Sequence, residues 1–214
     1  MTKPILLGHR GARASRDTPE NTLASFELCL QHGCDGFEFD VRLSADAQAV
    51  ICHDASVGGM RIAKTASKSL ALPTLEGVLR KFASWAFLDI ELKVAGLETQ
   101  TLVELRKHSP QKGYVVSSFL PEVLAAIYAL DSAIPLGLLC ETAAQVRGWR
   151  DTAAEWVIPH FDLADRELVE LVHAAGKRIM VWTVNRAEDM REFAAWGVDA
   201  IISDETELLV RSLR

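Results

Sequence analysis

GFEFDVRLSADAQAVICHD, residues 36–54, is the stretch that decides the fold. In its first half Phe37, Phe39 and Val41 alternate with Glu38 and Asp40, so a strand here carries apolar side chains on one face and two carboxylates on the other. Residues 44–48 are turn-forming, and Ala49 to His53 reads as a second strand with no helix between, which makes the segment a hairpin. A turn centred near Asp46 places Asp40 roughly opposite His53.

Outward from this hairpin, short apolar runs alternate with amphipathic segments along the whole chain. Strands are predicted at Ile5 to His9, Gly36 to Leu43, Ala86 to Lys93, Tyr114 to Phe119, Pro135 to Glu141, Trp156 to Phe161, Arg178 to Val184 and Ala200 to Asp204. Helices are predicted at Asn21 to His32, Thr74 to Ala83, Leu97 to His108, Pro121 to Asp131, Ala143 to Asp151, Asp165 to Ala175, Ala187 to Trp196 and from Glu205 onward, several stopped by a glycine. Eight strand–helix units specify an α/β fold, a TIM (β/α)8 barrel with a β-hairpin and a short insertion after the second strand. An open seven-stranded sheet is the alternative. Residues 55–72, rich in Gly, Ser and Ala, are expected to be the insertion, either a lid or an ordinary exposed loop.

The 214 residues, 49% of them hydrophobic, suffice for one core, so a single domain over residues 1–214 is expected. A net charge of -6 argues against a nucleic-acid partner. The first residues lack a signal-peptide core, and no run approaches the roughly 18–20 apolar residues of a membrane helix, so a soluble, cytoplasmic protein without stable membrane insertion is expected. Cys29, Cys34, Cys52 and Cys140 show no metal-binding spacing and are expected to be reduced thiols.

In such a barrel the inward residues at the C-terminal strand ends meet at one mouth. His9 and Arg10 end the first strand, Glu38 and Asp40 lie in the second with His53 returning beside them, and Asp89, Glu91 and Lys93 share one face of the third. Each of these residues alone reads as readily as a paired core group; their convergence is what points to a site. Carboxylates on one inward face repel each other, and Glu91 joining Glu38 and Asp40 makes a cation the simplest remedy. Oxygen donors without a nearby cysteine suit a hard divalent ion, Mg²⁺ or Ca²⁺. Arg10 and Lys93 add the positive charge that a phosphate would need.

The segment HRGARASRDTPENTLASFELCLQHGCDGFEFDVRLSADAQAVICHD, with its HRG, PEN, ExD and HD elements in order, resembles the opening of glycerophosphodiester phosphodiesterases. PTLEGVL, DIELK at 89–93, VVSSF at 115–119 and VWTVNRAEDMREFAAWGVDAIISD at 181–204 resemble the family's later blocks. The resemblance implies that Glu38, Asp40 and Glu91 are metal ligands and that His9 and His53 are the paired acid and base. It also implies that Arg10 and Lys93 hold the phosphate of a small glycerophosphodiester, which is cleaved to sn-glycerol 3-phosphate and an alcohol. Glu20 is expected to orient Arg10 or the metal, or else simply to favour its helix N-terminus. His160 and Trp182 lie at the rim as contacts for the alcohol or as packing.

After His53 the sequence HDASVGGMRIA departs from the family pattern, which leaves the alcohol open. Two rival readings stand beside this one: a phospholipase D-like or lysophospholipase D-like lipid phosphodiesterase, and a non-catalytic phosphometabolite-binding protein. The native metal, the order in which the histidines act and the oligomeric state are not legible.

Overall fold

The computed structural model describes residues 3–214. Residues 1 and 2, the start of the expected domain span, lie outside the described residues. Strands follow in the order β1 (Ile5–Gly8), β2 (Gly36–Leu43), β3 (Ala49–Ile51), β4 (Ser56–Val57), β5 (Met60–Arg61), β6 (Phe87–Leu92), β7 (Tyr114–Ser118), β8 (Leu136–Cys140), β9 (Trp156–Pro159), β10 (Arg178–Val181) and β11 (Ala200–Ser203). β1, β2 and β6 to β11 are joined in parallel, and β1 pairs with both β2 and β11. That double pairing closes the eight-stranded barrel and excludes the open sheet.

The helices are α1 (Leu23–Gln31), α2 (Ser67–Leu70), α3 (Leu75–Phe82), α4 (Glu98–Lys107), α5 (Pro121–Leu130), α6 (Ala143–Arg147), α7 (Arg166–Ala174), α8 (Ala187–Trp196) and α9 (Thr206–Leu213). Their starts are written locally: Thr22, Thr74 and Asp165 accept hydrogen bonds from backbone N–H groups three residues on, and Thr142 forms a capping box with Gln145. α1 begins after Thr22 rather than at Asn21, because Asn21 adopts a left-handed φ of 56° and points back toward the barrel. No helix among the described residues is long and apolar enough to cross a membrane.

The alternation in β2 divides the molecule into two apolar layers. On its outer face Phe37 stacks on Phe26 of α1, with centroids 4.2 Å apart, and meets Phe82 of α3 edge-on at 5.1 Å. Burying each such side chain contributes roughly 1.5–3 kcal/mol, so a one-residue slip that turned Phe37, Phe39 and Val41 inward would forfeit several of these terms at once. The inner layer holds Leu7, Val115, Ile158 and Met180, with Phe87 set edge-on to Trp156 at 6.1 Å. Gly36 is required here, since a Cβ would lie 1.8 Å from the Phe87 carbonyl oxygen.

The hairpin differs from expectation by one residue. β3 pairs with β2 as Val41↔Ile51, Arg42↔Val50 and Leu43↔Ala49, and the Cys52 N–H donates to the Asp40 carbonyl at 3.0 Å. Asp40 therefore faces Cys52 rather than His53. The cause is the turn: Ser44 N–H bonds the Gln48 carbonyl at 3.0 Å, leaving a three-residue loop with Ala47 in the left-handed region. His53 lies beyond the strand in a bend that Arg42 holds, its Nε donating to the His53 carbonyl at 2.7 Å.

Residues 55–72 fold into the β4–β5 ladder, a 3₁₀ turn at Ile62–Lys64 and α2. Ile62 and Leu70 bury against Val50 on the hairpin, and Asp46 accepts hydrogen bonds from the Ser67 N–H and hydroxyl at 2.8 and 2.9 Å. The segment is thus bound to the side of the hairpin.

Candidate active site

At the C-terminal end of the barrel, a cavity of about 370 Å³ is lined by His9, Arg10, Glu38, His53, Glu91 and Lys93 on one side and by Phe119, Leu139, Trp182 and Ile202 on the other, with Glu141 also in the wall. No residue of 55–72 contributes to this lining.

The register of β2 on β6 sets Glu38 beside Asp89 and Asp40 beside Glu91. Glu38, Asp40 and Glu91 each offer a carboxylate oxygen within 4.8 Å of the others, and all three are buried. Burial, followed by repulsion from Asp40, Glu91 and Asp89, pushes the Glu38 carboxyl well above its usual range. Glu91 rises to about 8 for the same reasons, burial first, and Asp89 to about 7 through burial. Burial would also raise Asp40, but Lys93, Arg10 and a 2.7 Å hydrogen bond from Asn21 Nδ2 hold it low. Glu38 Oε1 is buried with no hydrogen-bond partner. An orphaned carboxylate oxygen inside a group of mutually repelling acids fits a divalent cation, which would satisfy the oxygen and offset the charges together.

The cations expected to grip phosphate are engaged with these acids. Lys93 Nζ lies 2.6 Å from Glu91 Oε1 and 3.3 Å from Asp40 Oδ1. Arg10 Nη1 donates to Glu20 Oε1 at 2.8 Å, while its Nε stands 3.3 Å from Asp40 Oδ2. Glu20 also receives Arg13 Nε at 2.6 Å, so it touches Arg10 and lies outside the acidic trio.

Each histidine has a carboxylate at Nδ1: Asp204 for His9 and Asp54 for His53, both at 2.8 Å. Burial would raise Asp204, yet its bonds with His9, Asn185 and Arg13 hold it well below the carboxylate range. An ionised Asp204 can only accept, so His9 carries its proton on Nδ1 and turns a bare Nε2 inward, 3.9 Å from Glu38 Oε2. Burial lowers the His9 pKa against the pull of Asp204, which favours the neutral ring.

Trp182 is in the lining, held by Nε1 donating to the Ile158 carbonyl at 3.0 Å and set edge-on to Phe119 at 5.6 Å. His160, expected at the rim as an alcohol contact, is outside the lining; it packs edge-on behind Trp182 at 5.2 Å. The reason is positional, since β9 ends at Pro159 and His160 already caps the following 3₁₀ turn. Sequence reasoning missed Asp204, Asn21, Phe119 and Glu141.

The model of the glycerophosphoryl diester phosphodiesterase family matches residues 9–87 and 88–208. The chain belongs to this family. A glycerophosphodiester phosphodiesterase from Caldanaerobacter subterraneus is 28% identical, the match covering 99% of this chain and 98% of the relative. Among solved structures, a phosphodiesterase from Oleispira antarctica in complex with the product sn-glycerol-3-phosphate superimposes with a TM-score of 0.85 at 28% identity, over 98% of this chain and 96% of that one. A glycerophosphodiester phosphodiesterase from Parabacteroides distasonis shares the fold, with a TM-score of 0.87 at 23% identity over 99% and 97% of the two chains. As a glycerophosphodiester phosphodiesterase, the chain is a phosphoric diester hydrolase, and the reading as a non-catalytic binding protein falls.

Proposed function

We propose that this chain hydrolyses small glycerophosphodiesters to sn-glycerol 3-phosphate and an alcohol, with Glu38, Asp40 and Glu91 holding one Mg²⁺ or Ca²⁺ and with His9 and His53 moving the protons. The observation that carries this reading is the sharing of one cavity by both histidines, all-oxygen donors and two cations. A hard divalent ion, when bound, supplies positive charge that stabilises the charge developing on the phosphoryl group and eases loss of a nearby hydroxyl proton.

Arg10 and Lys93 hold the nonbridging phosphate oxygens, and Glu20 positions Arg10. His9 Nε2, freed by the proton fixed on Nδ1, takes the proton of the glycerol 2-hydroxyl as its oxygen attacks phosphorus. His53 protonates the oxygen of the departing alcohol, and the bond from phosphorus to that oxygen breaks. A cyclic phosphate remains. In the second step His53 takes a proton from the attacking water and His9 returns one to the glycerol oxygen, giving glycerol 3-phosphate and restoring both rings. Trp182, with His160 behind it, forms part of the apolar wall for a substituent of the diester.

The reading is tested by following release of glycerol 3-phosphate from a panel of glycerophosphodiesters, before and after EDTA. Turnover that survives exhaustive chelation removes the metal assignment, and turnover that survives His9→Ala or His53→Ala removes that histidine.

A further inference from the structure

A second mixed donor set lies on the helical layer, away from the barrel mouth. Glu76 of α3, Glu104 of α4 and His108 at the α4 C-terminus each place a ligand atom within 4.8 Å of the other two. None of them lines the central cavity. Glu104 lies in α4 and His108 caps its C-terminus four residues on, its backbone N–H donating to the Glu104 carbonyl, while Glu76 reaches them from the neighbouring helix.

Glu104 sets this group apart from a chance surface cluster. Its side chain is 9% exposed, unusually low for a glutamate on an outer helix. Oε1 receives Lys107 Nζ at 2.9 Å, whereas Oε2 is buried without a hydrogen-bond partner. The Thr101 hydroxyl, three residues earlier on the same helix and fully buried, is likewise unpartnered. A buried carboxylate oxygen left unpaired is a cost to folding that a cation at that point would remove. Glu76 and His108 take part in no ion pair among the described residues.

We propose that Glu76, Glu104 and His108 bind a second divalent ion, of the Zn²⁺ or Co²⁺ type, that joins α3 to α4. The imidazole decides the ion: a nitrogen among carboxylates favours the borderline transition metals, whereas the barrel trio, all oxygen, suits Mg²⁺ or Ca²⁺. Three protein ligands leave a fourth position for water, the coordination Zn²⁺ and Co²⁺ accept. Lys107 is the internal competitor. Its side chain is 55% exposed, so its ammonium can leave Glu104 for solvent when the ion arrives.

The test is titration of Co²⁺ into the full chain with Mg²⁺ in large excess to occupy the barrel carboxylates, read by calorimetry and by visible absorption of the bound Co²⁺. We expect one Co²⁺ per chain, no measurable uptake at this site in His108→Ala and at least a tenfold weaker dissociation constant in Glu76→Gln. The His108→Ala enzyme should match wild type on the panel of glycerophosphodiesters with Mg²⁺ or Ca²⁺, which shows that the fold and the barrel site are intact. Absence of Co²⁺ uptake, or equal uptake by wild type and His108→Ala, overturns the proposal.

Discussion

Asp204 Oδ1 stands 2.8 Å from His9 Nδ1, although 195 positions separate the two residues in the chain. Asp204 follows β11 and His9 follows β1, strands that become neighbours only when the barrel closes. The contact fixes which ring nitrogen of His9 bears the proton.

Replacing Asp204 by Asn keeps the size of the side chain but lets an amide donor face Nδ1, which favours the wrong tautomer. We predict a loss in kcat of about 10²- to 10⁴-fold with little change in KM, in line with the effect of the same change in a Ser-His-Asp triad. Steady-state kinetics beside a thermal melt check this; a kcat within twofold of wild type would show that Asp204 does not set the tautomer.

Binding of a divalent ion by the acidic trio should stabilise the fold. At 100 times its dissociation constant, an ion that binds only the folded chain adds about 2.7 kcal/mol, which in a chain of this length raises the melting temperature by roughly 5–10 °C. Differential scanning fluorimetry with Mg²⁺ or Ca²⁺ after EDTA treatment measures the shift. No shift with either ion would count against the trio as its site.

Glu38→Gln removes one of three crowded acids while leaving an oxygen that can still accept the Arg10 N–H, now bonded to Glu38 Oε2 at 2.9 Å. The ion-free variant should melt higher than ion-free wild type, about 1 kcal/mol appearing as roughly 2–4 °C, and should lose both the ion-induced shift and turnover. A variant less stable than wild type without ions would contradict the strain that the raised Glu38 carboxyl implies.

Asp46 ties the insertion to the hairpin, and its hydrogen bonds from Ser44 and Ser67 lower its pKa to about 2 from 3.8. For a depressed carboxylate the stabilising contribution is complete above the unfolded value and disappears as pH falls through the folded one. Residues 44–70 should therefore loosen as the pH falls from roughly 4 toward 2. Amide exchange across that range, compared with Asp46→Asn at neutral pH, would locate the loosening; equal protection of the Ser67 amide in both proteins would contradict it.

Much of this architecture was legible because it is periodic. The alternation of Phe37, Phe39 and Val41 with Glu38 and Asp40 dictates which face of β2 turns inward, and the cap residues Thr22, Thr74 and Asp165 mark where helices start. The expected site residues His9, Arg10, Glu38, His53, Glu91, Lys93 and Trp182 are brought to one cavity, with Asp40 beside them. Asp204 was missed although the same parity, Ala200 and Ile202 facing the lumen, extends to it. Its meaning depends on closure, which no local window contains. The hairpin register was off by one because a three-residue loop with Ala47 left-handed has no glycine to announce it.

The insertion hangs from the flank of the hairpin, and its tip, Gly58–Gly59, is exposed, with no atom within 4 Å of a Cβ added to Gly59. Chain spliced in at that turn would meet neither cavity nor core. Each doubling of a flexible loop costs only about 0.6 kcal/mol, so a guest peptide, a fluorophore tag or a whole domain could be carried there while Arg42 keeps its hold on the backbone of His53.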